Sequence, residues 1–106
     1  MYALQHRQYQ RDALVGATPE KLVVKIYDIA IAACHAGDRA RLRAALVQLV
    51  NGLDFERGGD LARRLHAIYV YGLTESALGD LAPIAEVLNE LRSVWNEGVV
   101  LRRTAA

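Results

Sequence analysis

The sequence predicts an all-α protein: an antiparallel up-down-up-down four-helix bundle preceded by a short N-terminal arm or cap helix. Three observations carry that prediction. The 106 residues are rich in Ala and Leu and include only two Pro and one Phe, a composition that favours helices over sheets. Apolar residues recur at helical spacing in four separate stretches. Between the stretches stand glycines followed by Asp, the pairing that ends one helix and caps the next. Connections this short return each helix alongside the one before it. A chain of this size holds one hydrophobic core, so a single domain is expected over residues 1–106, with an arm at 1–17, the bundle at 18–102 and a frayed tail at 103–106.

The elements follow in order. Residues 1–17 are mostly polar, with Tyr2, Leu4, Tyr9, Leu14 and Val15 as the large apolar anchors, and read as a loosely held arm. Thr18 can cap a helix, Pro19 fits its first position and Glu20 suits the positive end of its dipole. On this first helix, predicted over 18–36, Lys21, Lys25, Asp28, Ala32 and His35 share one narrow stripe. Leu22, Val23, Val24, Ile26, Tyr27, Ile29, Ile31 and Cys34 fill the rest. So wide an apolar arc is either covered by neighbours on several sides or left as a groove for a partner. Cys34 reads as a small buried hydrophobe.

Gly37-Asp38 opens a second helix over 38–54, whose Leu42, Leu46, Leu49 and Leu53 have the 4-3-4 spacing of a bundle seam. Phe55-Glu56-Arg57-Gly58-Gly59 interrupts it, and Asp60 is the expected cap of a third helix over 60–79. Its inner side is predicted from Leu61, Leu65, Ile68, Gly72 and Leu73, with Tyr69 adjacent, Tyr71 pointing more nearly outward, and Gly72 admitting another backbone. After Gly79-Asp80, Pro83 sits in the first turn of a fourth helix over 81–102 that carries Ile84, Val87, Leu88, Leu91, Val94, Trp95 and Leu101.

Several function classes are disfavoured. Thirteen basic residues against twelve acidic leave a formal charge of +1, too little to draw nucleic acid or an anionic membrane. A single Cys excludes an internal disulfide. There is no leader and no 18-residue uncharged run, so a cytoplasmic, soluble protein is expected. Arg39, Arg41, Arg43, Arg63 and Arg64 read as solvated helix faces. His6, His35, His66 and Cys34 are the soft-metal candidates, and Cys34 and His35 point about 100° apart on a helix. No metal and no cofactor are expected. Catalysis would have only Cys34 with a distant His, on an apolar face without oxyanion donors, and Gly58-Gly59 lacks the Lys-Ser/Thr of a phosphate loop. A non-enzymatic binding protein that recognises its partner by apolar contact is the expectation.

Thr-Pro-Glu-Lys-Leu-Val-Val-Lys-Ile-Tyr-Asp (Thr18 to Asp28), Leu-Asp-Phe-Glu-Arg-Gly-Gly-Asp-Leu-Ala (Leu53 to Ala62), Ala-Ile-Tyr-Val-Tyr (Ala67 to Tyr71) and Leu-Arg-Ser-Val-Trp (Leu91 to Trp95) are colinear over nearly the whole chain. With these motifs the sequence resembles the flagellin export chaperone family, FliS. The resemblance implies a helical bundle that holds the C-terminal, otherwise disordered segment of flagellin in apolar grooves. Such a protein prevents premature polymerisation and presents its client to the flagellar export machinery. Carried onto this sequence, the partner-binding residues are Tyr9, Leu22, Val23, Ile26, Tyr27, Ile68, Tyr69, Tyr71, Leu91 and Trp95. On bundle helices Tyr27, Tyr69 and Trp95 serve either as groove contacts or as core residues with a polar tip at the surface. The arm is expected to cover part of the groove in the free protein.

The sequence departs from the family pattern at Lys25, Ile29, Val70 and His6. It is also shorter between Asp28 and Leu53 by about three turns of ~3.6 residues each, which predicts a stubby first hairpin. Two other readings stay open: an adaptor for a different secretion client, and a small nucleic-acid-binding helical domain. Monomer and dimer are both compatible with the sequence.

Overall fold

The computed structural model describes the backbone of residues 19–105 and the side chains of residues 20–97. The predicted arm, Tyr9 and Leu101 among its and the bundle's anchors, and the capping role of Thr18 lie outside the described side chains. Four helices make up the described chain: α1 (Pro19–Ala36), α2 (Arg39–Asn51), α3 (Phe55–Leu78) and α4 (Ala82–Ala105), with no strand among the described residues. α1 packs against both α2 and α4, α2 packs against α3, and α3 meets α4 at only a few residues.

The ends of the helices are set by local chemistry. Gly37 takes the left-handed conformation (φ 68°), which lets the Asp38 N–H reach back to the Ala33 carbonyl at 2.9 Å. Asp38 then caps α2 by accepting from the Arg41 N–H at 3.1 Å. α2 stops at Asn51 with Gly52 as its cap, three residues before the predicted end. α3 begins at Phe55 and not at Asp60, because Asp54 is the cap and accepts from the N–H groups of Glu56 and Arg57 at 3.1 Å each. Of the two glycines predicted to break continuity, Gly59 does so (φ 50°, ψ −125°), in a region that strains any L side chain. Gly58 donates its N–H to the Asp54 carbonyl at 2.8 Å. The break is therefore a kink after one turn of α3. Asp80 accepts from the Ala82 N–H at 3.1 Å, and α4 continues through residues 103–105, which were expected to fray.

The core is built from Tyr27, Ala30, Ala33 and Cys34 of α1, the Leu42, Ala45, Leu46, Leu49 face of α2, Leu65 and Tyr69 of α3, and Ile84, Ala85 and Leu88 of α4. Each large aliphatic in it stabilises the fold by roughly 1.5–3 kcal/mol relative to exposure. The polar stripe predicted on α1 is exposed at all five positions, Lys21, Lys25, Asp28, Ala32 and His35.

The inner face of α3 differs from prediction. Ala62, Leu65, Tyr69, Gly72 and Ser76 are buried, whereas Leu61 is 61% exposed and Ile68 and Leu73 are half-buried. Small residues hold the centre because α3 lies close over α2. A Cβ at Gly72 would sit 3.2 Å from a Leu46 methyl, so Gly72 makes room for a leucine side chain and not for a backbone.

Two of the arginines predicted as solvated do structural work at this contact. Arg39 donates to the Ser76 carbonyl at 3.0 Å, and Arg43 donates to the Leu73 carbonyl at 2.7 Å and to the Ser76 hydroxyl at 2.9 Å. The last turn of α3 has no basic residue of its own. Its carbonyl end is satisfied from α2, where positive charge also complements the helix dipole.

Candidate functional site

A groove of about 440 Å³ opens where α1, α2 and α3 diverge at one end of the molecule, and Trp95 of α4 closes one side. α1 supplies Val23 and Ile26, one turn apart on the arc that α2 leaves uncovered. α2 stops at Asn51 just where its seam reaches the groove, so Leu53, beside the buried Leu49, stands half-buried at the edge without a further helical turn to cover it. The kinked first turns of α3 form the opposite wall with Gly58, Leu61, Ala62 and Leu65. Glu20, Asp54 and Arg57 put charge at the rim, Arg57 and Asp54 being an exposed pair at 3.8 Å.

Beneath this lining lies a polar contact between aromatics. The hydroxyls of Tyr27 (0% exposed) and Tyr69 (1% exposed) are 2.5 Å apart, with ring centroids separated by 6.3 Å at 53°. Burial pushes both phenols above their ordinary pKa. For Tyr69 the hydrogen bond to Tyr27 adds to the rise, while the same bond draws Tyr27 partly back. Both are neutral at physiological pH. The apolar floor is thus fixed by two buried side chains from two helices, which orient each other through a hydrogen bond that water does not reach.

Four of the ten residues carried over from the family, Val23, Ile26, Tyr69 and Trp95, line this one groove, and Tyr27 lies directly under it. Tyr27 and Tyr69 have their polar tips turned toward each other and not to the surface. Leu22 and Ile68 are half-buried outside the lining, Leu91 packs against the core, and Tyr71 is exposed on the far side of α3. Tyr9 lies outside the described residues. In the sequence Leu49, Leu53, Leu61 and Leu65 read as seam residues alone. The signal that brings them to the groove is the Gly52-Leu53-Asp54 step, which ends one helix and starts another with apolar residues on both sides.

A wider depression of about 650 Å³ at the other end is lined by Cys34, His35, Arg39, Asp80, Glu86 and neighbouring small residues. Its walls mix small apolar side chains with charged ones of both signs. Burial raises the pKa of the Cys34 thiol, which lowers its reactivity. Among the described residues no three His, Cys, Asp or Glu side chains gather as a metal site, and no helix is long and apolar enough to cross a membrane. Set against protein-family models, curated proteins and solved structures, the chain has no significant match.

Proposed function

We propose that this chain is a flagellin export chaperone of the FliS type, an antiparallel bundle that binds the C-terminal segment of flagellin stoichiometrically in the cytoplasm, without catalysis, and delivers it for export. The observation that carries the reading is the groove itself. Residues singled out by the motif resemblance on three separate helices, Val23, Ile26, Tyr69 and Trp95, line one apolar cleft. A disordered client gains from such a cleft by laying an amphipathic helix into it, apolar anchors inward. The short hairpin suits a shorter client segment or a different one: α2 has 13 residues against 24 in both α3 and α4.

The test is calorimetric titration with a flagellin C-terminal peptide, with circular dichroism alongside. Binding should add helix and give a negative heat-capacity change, since a disordered segment folds and buries apolar surface. Ile26→Glu should weaken binding by about tenfold or more, as expected for a central apolar contact, while Arg41→Glu leaves it nearly unchanged. Arg43 is a poor control because it braces α3. No binding by the folded wild type, or equal losses in the two variants, would overturn the proposal.

A further inference from the structure

α2 and α3 are unequal in length, and the excess of α3 supplies one wall of the groove. Arg39 donates to the Ser76 carbonyl and Arg43 to the Leu73 carbonyl, so α3 runs back along α2 and Asn51, where α2 stops, comes level with roughly residue 65. The turns of α3 before Leu65 have no α2 beneath them. They bend at Gly59, whose φ of 50° no L side chain adopts without strain, and close up at Gly58, where a Cβ would stand 2.8 Å from the Ala62 Cβ.

A wall with no helix beneath it needs an anchor. In the turn from Leu53 to Gly58, Leu53, Asp54, Arg57 and Gly58 line the groove, yet only Leu53 and Gly58 are half-buried and the residues between them are exposed. The polar contacts of its side chains stay inside the turn: Asp54 accepts from the Glu56 and Arg57 N–H groups and pairs with the Arg57 guanidinium. Phe55 differs from its neighbours. It is absent from the groove lining, and its ring meets His66 edge-on across the kink, with centroids 5.7 Å apart at 68°. The side chain stays 47% exposed and is not packed on the core, so the contact does little for the bundle as a whole.

We propose that Phe55 is a positioning residue of the groove: braced against His66, it holds the Leu53–Gly58 turn in place as a wall for the client, which neither ring touches. The inference deepens the reading of this groove as the client site and rests on it. An edge-on aromatic contact shifts an equilibrium by about two- to twelvefold, enough to tune a site and too little to hold a fold. Loss of the contact should therefore loosen the wall and leave the core as it is.

Amide exchange of the full chain, without any peptide, reads the wall directly. In Phe55→Ala the protection of the Arg57 and Gly58 N–H groups should fall about threefold to tenfold, within the range of the lost ring contact, while Leu46 and Leu49 are unchanged. Alanine is the better helix former, so helix propensity alone would raise protection. Phe55→Tyr keeps the ring and should restore the wild-type value, as should Phe55→Cys joined to His66→Cys by a short bismaleimide in a Cys34→Ala background. In titrations with the flagellin C-terminal peptide, Phe55→Ala and His66→Ala should each raise the dissociation constant by about threefold to tenfold, and the double variant by no more than either, because both remove one contact. Unchanged protection in Phe55→Ala overturns the proposal, as do additive losses in the double variant, or lower protection with unchanged peptide affinity. A wild type that does not bind the peptide overturns the client assignment alone, and the exchange result then decides whether Phe55 holds the wall.

Discussion

α4 lies along α1 through much of its length yet touches α3 at only a few residues. The side chains at the two junctions account for the difference. Where α1 and α4 meet, both bring small buried residues, Ala30 and Ala33 from one and Ala85 from the other, beside Tyr27, Ile84 and Leu88. The axes can approach and the contact closes. Between α3 and α4 stand Ile68, Leu91 and Trp95, all only partly buried, and Leu61 is largely exposed nearby. The closed junction is organised for stability and the open one for an unfilled apolar surface, and substitutions on the two sides should therefore have opposite signatures.

The largest expected effect breaks the core where α2 meets α3, a contact closed by small residues as the α1–α4 junction is. Leu46 is 1% exposed and packs onto Gly72, so Leu46→Ala removes core contacts on both α2 and α3 and should cost ~2–5 kcal/mol of unfolding free energy. Leu61→Ala removes a side chain that is 61% exposed and should cost under about 1 kcal/mol while weakening peptide binding. Urea unfolding followed by circular dichroism gives both values. Comparable costs would mean that the groove wall is part of the core.

A smaller effect sharpens the comparison at the boundary between core and groove. Tyr27→Phe or Tyr69→Phe leaves a buried hydroxyl without its partner, at ~1–3 kcal/mol, whereas removing both hydroxyls also removes the orphan. The double variant should be destabilised by less than the sum of the singles in a double-mutant cycle. Additive losses would show that each hydroxyl acts independently of the other.

Much of this contrast is legible in the sequence, and the illegible part has a physical cause. The polar stripe of α1, the Asp38 cap and Leu42, Leu46 and Leu49 of α2 follow from local spacing and lie where the pattern puts them, whereas Leu53, predicted on the same seam, falls beyond the end of α2. The centre of α3 escapes the pattern because Ala62, Gly72 and Ser76 are buried for their small size, which apolar periodicity does not register. Asp54 does not read as a cap because the paired glycines invite a break, although a one-turn helix before a kink satisfies both signals. The braces from Arg39 and Arg43 are invisible in the sequence, since their acceptors lie 37 and 30 residues away on another helix. The groove joins these two kinds of residue. Val23, Ile26 and Trp95 could be picked out as candidates, but that they share one cleft with Leu53 and Leu61 depends on where α2 stops.

The smallest effect is the pH dependence of stability. Burial raises the pKa of Tyr27 and Tyr69 above the ordinary 10.0 of a free phenol, and that of Cys34 above 9.0. In each case the neutral form is favoured by folding and the ionised form by unfolding. The sign follows from linkage: the unfolded chain releases protons at lower pH than the folded one, so the stabilisation is complete below the unfolded pKa values and is lost as pH rises through the folded ones. Stability should be insensitive to these groups up to about pH 8 and fall beyond it, first through Cys34 and then through the tyrosines. No single group can contribute a slope steeper than about 1.4 kcal/mol per pH unit. Urea midpoints measured between neutral and strongly alkaline pH in a Cys34→Ala background isolate the tyrosines. The further change to Tyr27→Phe with Tyr69→Phe should then flatten the alkaline decline, and a decline of unchanged steepness would mean that the buried pair is not what the alkaline unfolding has to ionise.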